Sequence, residues 1–299
     1  MLFATAERRR GYAFVMGATV LWSLAGVFAR LIPHLDFGTV LFGRAAFGGG
    51  CGLVIAFLDW RGARLDPRRL VTPIAPLVIF LSATAISAYV GALMTTTVAD
   101  VLVIYATLPF VAAGMAYATL GEVPSGRTMI AAGIAMIGIV VMVAGGLGQG
   151  RLLGQALSFL MTATFAGLVV VQRGDPELPV SPINAVAALV AAGFGYSVSK
   201  HVSVSAFDIG VLFVFGVTTI TVAFAMFMEG AKYVPPAEAS LLAMMDVVMG
   251  PLWVLIAFGE APDRTTVIGG AFVLAAGVWR LAPELRRRGN GLTPPPALL

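Results

Sequence analysis

Long stretches without a charged side chain alternate with short polar connections along most of the chain. Seven stretches lack Asp, Glu, Lys and Arg entirely and contain 19 to 30 residues each. An α-helix of about 20 apolar residues crosses the roughly 30 Å hydrocarbon core of a bilayer, so each stretch predicts one membrane span. These stretches are residues 11–29, 70–99, 101–121, 128–150, 152–172, 178–199 and 209–228.

Three further apolar stretches carry interruptions or are shorter. Residues 37–58 contain Arg44, residues 236–259 contain Glu238 and Asp246, and residues 265–279 form a short last stretch that extends to Pro283. The stretches are about twice as long as barrel strands and show no alternation of polar and apolar positions, so they predict helices. The pattern therefore predicts an all-α polytopic membrane protein with ten transmembrane helices.

Composition excludes a soluble fold. Apolar residues make up 59% of the 299 positions and charged residues only 11%, which is too few to cover a particle of this size in water. The single cysteine, Cys51, allows no internal disulfide and no cysteine-based metal site. The sequence also contains no HExxH, GxSxG or GxxxxGK[ST] motif, so we expect no enzyme activity, no ATP hydrolysis, no cofactor and no metal.

Basic residues in the loops predict the orientation. If the N-terminus is cytoplasmic, fourteen Lys and Arg residues lie on the cytoplasmic side and four on the other. An even number of spans places both termini in the cytoplasm, and we expect a multi-pass protein of a bacterial-type inner (plasma) membrane. Because the anionic cytoplasmic leaflet explains the net charge of +4, the lipid bilayer is an expected partner and nucleic acid is not.

Two parts of the chain resemble each other at an offset of 138 residues. Ala99-Asp100-Val101 corresponds to Ala237-Glu238-Ala239, and Gly121-Glu122-Val123-Pro124 corresponds to Gly259-Glu260-Ala261-Pro262. Each copy holds five spans, and an odd number inserts the two copies in opposite orientations. We therefore expect two inverted five-helix repeats around a central cavity, an arrangement typical of alternating-access transport; a duplicated scaffold is the alternative. The expected segments are a cytoplasmic tail at 1–10, repeats at 11–147 and 151–282, and a cytoplasmic tail at 283–299.

Several short motifs, taken in order, resemble the drug/metabolite transporter superfamily, EamA type. They are Leu21-Trp22-Ser23, the span from Leu108-Pro109 to Leu120-Gly121-Glu122, the small-residue span 131–146, and the span from Pro251-Leu252-Trp253 to Gly259-Glu260. Within that superfamily the chain is most similar to bacterial exporters of aromatic and other amino acids. The resemblance implies a cavity formed mainly by spans one, three, four, six, eight and nine, with spans five and ten outside it.

Three ionisable residues fall within or at the edge of the spans. Arg44 must face protein or water, and either attracts an anionic group or serves a structural role. Asp246 is the deepest carboxylate and is either a proton-coupling group or a packing contact. Asp100 stands near a helix start, where capping is the default interpretation. Glu122 and Glu260 follow helix exits and are expected in solvent.

Aromatic and methionine side chains are the candidates for the cavity wall. Aromatic rings near mid-span lie away from the headgroup belt, and methionines provide an adaptable surface, although both also serve as ordinary filler. The candidate substrate-binding residues are Trp22, Ser23, Tyr89, Tyr105, Met161, Phe165, Met226, Met244 and Trp253.

Together these features predict a secondary transporter that exports small amphipathic metabolites by alternating access. Amino acids, aromatic and other neutral ones, are the preferred small-molecule substrate, and protons are a candidate coupling ion. Export of cationic drugs or nucleotide-type metabolites is the alternative within transport. A non-transporting scaffold and a membrane-embedded enzyme are the alternatives from other classes.

Overall fold

The computed structural model describes residues 2–62, 72–146, 150–175, 178–200, 203–234, 239 and 242–289, and every regular element among them is helical. Within these described ranges, eight segments are long and apolar enough to cross a membrane, and Leu242–Phe258 is a shorter apolar helical segment. The eight are Glu7–Leu31, Phe37–Arg61, Ala75–Thr95, Val98–Leu120, Gly126–Gly145, Leu152–Gln172, Val180–Val198 and Ala206–Ala231.

Some of these segments consist of two helices. In the first part of the chain the helices are α1 (Leu2–Ser23), α2 (Ala25–Leu31), α3 (Phe37–Arg61), α4 (Ala75–Thr95), α5 (Val98–Tyr105), α6 (Leu108–Leu120) and α7 (Gly126–Gly146). The break between α5 and α6 precedes Pro109, which has no backbone N–H to continue the helical hydrogen bonds. The first span breaks at Leu24 instead, without a proline.

The second part continues with α8 (Leu152–Gly174), α9 (Val180–Val198), α10 (Ala206–Gly216), a π-helical segment (Val217–Val222), α11 (Ala223–Ala231), α12 (Asp246–Phe258) and α13 (Arg264–Gly289). Residues 2–10 and 283–289, which we expected as tails, therefore belong to the first and last helices. The arginine-rich ends continue the helices beyond the apolar stretches.

Helix boundaries repeat at the same offset as the sequence motifs. Helices α6 and α12 both contain 13 residues, and their first and last residues are 138 positions apart. Each ends at a glycine with φ of 70°, Gly121 and Gly259, a left-handed conformation that costs glycine little. The following helices, α7 and α13, also begin 138 positions apart. The repeat landmark Glu238 lies outside the described residues.

Glycines allow the helices to pack closely. Helix α3 packs against α9 and α10, α4 packs against α8 and α9, and α7 packs against α13 at the periphery. A Cβ atom added to Gly138 would lie 2.5 Å from the carbonyl oxygen of Gly269, so these two backbones are in direct contact. The outward faces carry exposed apolar side chains such as Phe80 and Ile256, as expected of helices surrounded by lipid.

Candidate functional site

A cavity lies among the helices and contains about 1120 Å³ of empty space, including the part open to solvent. Residues of α1, α3, α4, α5, α8, α9, α11, α12 and the π-helical segment line it, whereas α7 and α13 contribute none of the described lining residues. It extends to the adjoining ends of α8 and α9, where Gln172 and Asn184 are polar lining residues. Seven of the residues predicted from sequence line this cavity: Trp22, Arg44, Tyr89, Tyr105, Met161, Phe165 and Asp246.

Arg44 provides a buried positive charge at the cavity. Its side chain is only 5% exposed, and its guanidinium carbon lies 4.6 Å from the ring centre of Phe215 and 5.2 Å from that of Tyr89. Its Nη2 donates a hydrogen bond of 3.2 Å to the hydroxyl oxygen of Thr219. Its Nε and Nη1 have no hydrogen-bond partner among the described residues. Contacts with aromatic faces stabilise the cation but leave these two donors available.

Asp246 provides a buried negative charge at the same cavity. It is the first residue of α12, directly after the turn at Met245, and 7% of the residue is exposed. The helix dipole favours a carboxylate at this end. Its Oδ1 has no hydrogen-bond partner in the part of the chain that the structure describes. A carboxylate held this way can accept a donor from a ligand or bind a proton.

Aromatic side chains form much of the remaining wall. Trp22 donates a hydrogen bond of 3.0 Å from Nε1 to the carbonyl oxygen of Thr219. The rings of Tyr105 and Phe165 meet edge to face, with their centres 5.9 Å apart. Met161, which is 5% exposed, lines the cavity on α8. The wall therefore combines rigid rings with a few polar atoms, the usual composition of a small-molecule site.

Four predicted wall residues pack between helices instead of lining the cavity. Trp253 donates from Nε1 to the hydroxyl oxygen of Ser23 at 3.0 Å, which joins α12 to α1. The terminal methyl group of Met226 contacts Gly17, and that of Met244 contacts Gly277, because glycine has no side chain to occupy the space. Spacing along the helices could not distinguish the cavity side from these contact sides.

Asp100 lies in a polar network at the end of the bundle where α5 and α13 begin. The residue is fully buried, and its carboxylate accepts hydrogen bonds from Thr96, Arg151, Gln155 and Thr266. The helix cap that we expected from Asp100 is provided by Thr97, whose hydroxyl accepts from the Asp100 N–H. The Asp100 side chain instead joins α5 to α8 and α13, and it does not line the cavity.

Arg30 and Glu260 extend this network. Arg30 Nε lies 2.6 Å from Glu260 Oε2, and the Arg30 guanidinium also donates to the carbonyl oxygens of Leu93 and Thr96. Glu260 Oε1 accepts from the Val98 N–H as well. Glu260, which we expected in solvent, is only 25% exposed and pairs with an arginine of a distant helix. We call Arg30, Thr96, Asp100, Arg151, Gln155, Glu260, Asp263 and Thr266 the distal network.

Asp263 completes the distal network at the start of α13. It forms an ion pair with Arg151 and accepts hydrogen bonds from the Thr266 N–H at 2.8 Å and the Thr265 hydroxyl at 2.7 Å. Burial alone would raise the pKa of Asp263, but these hydrogen bonds lower it well below its usual range. The carboxylate therefore stays charged across the physiological pH range.

Several cavity residues were not predicted from the sequence. Ser82, Gln172, Asn184 and Thr219 line the cavity, although each lies in an otherwise apolar run. An uncharged polar residue within a span is a signal that could have found them, because its polar atoms require partners in the membrane. Many such residues hydrogen-bond to a backbone carbonyl of their own helix, however, so the signal does not show which of them face the cavity.

These helices and this cavity define a multi-pass helical membrane protein with a central polar site. Residues 9–144 match the model of the EamA-like transporter family. One crystal structure of a protein aligns with a TM-score of 0.66 at 17% identity, covering 94% of this chain and 99% of that chain. That likeness shows a common fold alone. Curated proteins give no significant match to the sequence.

Proposed function

We propose that this protein is a secondary transporter of the EamA type that exports small amphipathic metabolites, with neutral amino acids as the preferred class. One observation carries the proposal. Arg44 and Asp246 are both at least nine-tenths buried, both retain polar atoms without a partner among the described residues, and both line one cavity. The EamA-like domain at residues 9–144 supports transport as the activity.

The two charges favour a solute that carries both a carboxylate and an ammonium group. A buried charge without a partner costs several kcal/mol relative to water, so each charge requires either retained water or a ligand of opposite sign. An amino acid supplies a carboxylate for Arg44 and an ammonium for Asp246. Its own two charges are then also satisfied.

The aromatic wall gives the solute's side chain an apolar surface. Trp22, Tyr105 and Phe165 present ring area next to the charged residues. Removal of apolar area from water stabilises the complex by about 25 cal/mol per Å², so larger side chains gain more. Aromatic amino acids fit this combination better than small ones.

Alternating access fits the repeat. The matched bounds of α6 and α12 support two related halves, and we propose that they are inverted five-helix repeats within a ten-helix protein. The excess of basic residues in alternate loops favours both termini in the cytoplasm, and we propose a bacterial-type inner membrane. Flux would then run outward through exchange of the two halves around the central cavity.

Purified protein in liposomes tests the proposal with three matched probes. We expect faster uptake of phenylalanine than of phenethylamine, which lacks the carboxylate, or of phenylpropionate, which lacks the ammonium. Arg44→Gln should reduce phenylalanine uptake more than phenethylamine uptake, and Asp246→Asn should spare phenylpropionate. Preference for phenethylamine would overturn the amino-acid assignment in favour of cationic solutes. No uptake of any probe above protein-free liposomes would also overturn it.

A further inference from the structure

The span from α10 to α11 changes helical type beside the cavity. Residues 217–222 form a π-helix, in which the Ala223 N–H donates to the Thr218 carbonyl oxygen five residues earlier. Single π turns within α-helices occur frequently at functional sites. Two residues of this segment, Thr219 and Ile220, line the cavity.

Thr219 contacts two cavity residues from two other spans. Its hydroxyl donates to the Phe215 carbonyl oxygen at 2.6 Å, which leaves the oxygen lone pairs to accept from Arg44 Nη2 at 3.2 Å. Its carbonyl oxygen accepts from Trp22 Nε1 at 3.0 Å. Thr219 is 5% exposed, so little water competes for these hydrogen bonds.

Close backbone packing holds Thr219 in register with Arg44. A Cβ atom on Gly216 would lie 2.2 Å from the Arg44 carbonyl oxygen, and one on Gly48 would lie 2.7 Å from the Gly216 carbonyl oxygen. No side chain therefore separates α3 from α10 at this level. The Thr221 hydroxyl donates to the Gly48 carbonyl oxygen at 2.7 Å and makes no described hydrogen bond to Arg44 or Trp22.

The hydrogen bond to Thr219 orients the Arg44 guanidinium. The rings of Tyr89 and Phe215 lie against the guanidinium but leave its in-plane rotation open. Among the described residues, only the Thr219 hydroxyl accepts a hydrogen bond from the Arg44 side chain. That bond occupies Nη2 and leaves Nε and Nη1 for another acceptor.

We infer that Thr219 is a positioning residue for recognition. Through its hydroxyl it holds Arg44 so that Nε and Nη1 receive a carboxylate, and through its carbonyl it holds the Trp22 indole in the wall. This inference rests on the proposed function, because it makes Thr219 responsible for the transporter's proposed preference for solutes that carry a carboxylate.

Three threonine variants test the inference. Thr219→Val removes the hydroxyl but keeps the branched shape and the backbone carbonyl, whereas Thr219→Ser keeps the hydroxyl. Thr221→Val is the matched control, because it removes a hydroxyl from the same π-helix that bonds only to the Gly48 backbone among the described residues. In liposomes, we expect Thr219→Val to raise the KM for phenylalanine about tenfold, the effect of one hydrogen bond to a charged group. Its KM for phenethylamine should not change.

A substrate-independent measurement separates this inference from the proposed function. Phenylglyoxal modifies arginine side chains, and peptide mass spectrometry reports the rate at Arg44 alone. We expect modification of Arg44 to be several-fold faster in Thr219→Val than in wild type, Thr219→Ser or Thr221→Val. Equal Arg44 modification in all four proteins would overturn the inference. Equal KM changes for both probes would also overturn it, because they would indicate a general packing role. Faster modification without uptake of either probe would support positioning while rejecting amino-acid transport.

Discussion

Replacing Asp100 by asparagine should strongly destabilise the fold. The two Asp100 oxygens accept four side-chain hydrogen bonds, and three of them reach Oδ2 at 2.8, 3.3 and 3.3 Å. In Asp100→Asn, an amide NH₂ at the Oδ2 position meets three donors, and one at the Oδ1 position meets the Thr266 hydroxyl, which must then accept instead of donate. Arg151 also loses the charge of one of its two carboxylate partners.

The expected loss follows from burial. Asp100 is fully buried, and its partner Arg151 is 11% exposed, so water replaces neither the charge nor the hydrogen bonds. Removal of one partner from a buried ion pair typically costs about 3 to 5 kcal/mol. For a chain of this size that corresponds to a drop in melting temperature of roughly 10 °C.

Thermal unfolding in detergent, followed by intrinsic fluorescence, measures this loss. Glu229→Gln is the matched control, because it makes the same acid-to-amide change in a pair with Lys232 whose side chains are 34% and 64% exposed. We expect the control to melt close to wild type. If Asp100→Asn melted within about 2 °C of the control, the distal network would not contribute to stability as its geometry implies.

Four further outcomes are expected. Because hydrogen bonds lower the pKa of Asp263, the stability that its carboxylate contributes is present above about pH 4 and is lost as the pH falls towards the lowered pKa. The melting temperature of Asp263→Asn should therefore fall less than that of wild type between pH 5 and 3. Equal falls in melting temperature would contradict this. If transport is proton-linked, Asp246→Asn should abolish its pH dependence, because an amide does not titrate in this range; an unchanged liposome pH profile would leave Asp246 a packing residue. Trp22→Ala and Tyr105→Ala should reduce liposome uptake of phenylalanine more than uptake of threonine, and equal losses would indicate a role in the fold. A reporter fused at Leu299 should report the cytoplasm, and a periplasmic signal would reject the predicted orientation.

The charge pattern predicted the eight long apolar segments among the described residues because hydropathy is a local property. The charge-free run at residues 152–172 lies within α8, for example, and the run at 178–199 contains α9. It could not predict the break at Leu24, since no proline or charge marks that position. Breaks of this kind depend on how neighbouring helices pack.

The candidate site was predictable where chemistry alone singles out a residue. Arg44 and Asp246 are charges inside apolar spans, and both line the cavity. Thr219 gave no comparable signal, because its role depends on contacts with residues 175 and 197 positions away. The Arg30–Glu260 pair likewise joins residues of distant helices, which no local pattern contains.

The Arg30–Glu260 ion pair can form only late in the synthesis of the chain. Arg30 emerges from the ribosome 230 residues before its carboxylate partner. At about 5 to 20 residues per second, that interval lasts between about 10 and 50 s. During this time the first helices are already made, but the guanidinium has no Glu260 to neutralise it. Arg30 therefore acquires its Glu260 partner only after most of the chain has been translated, and a nascent chain stalled before Glu260 would carry an incomplete distal network.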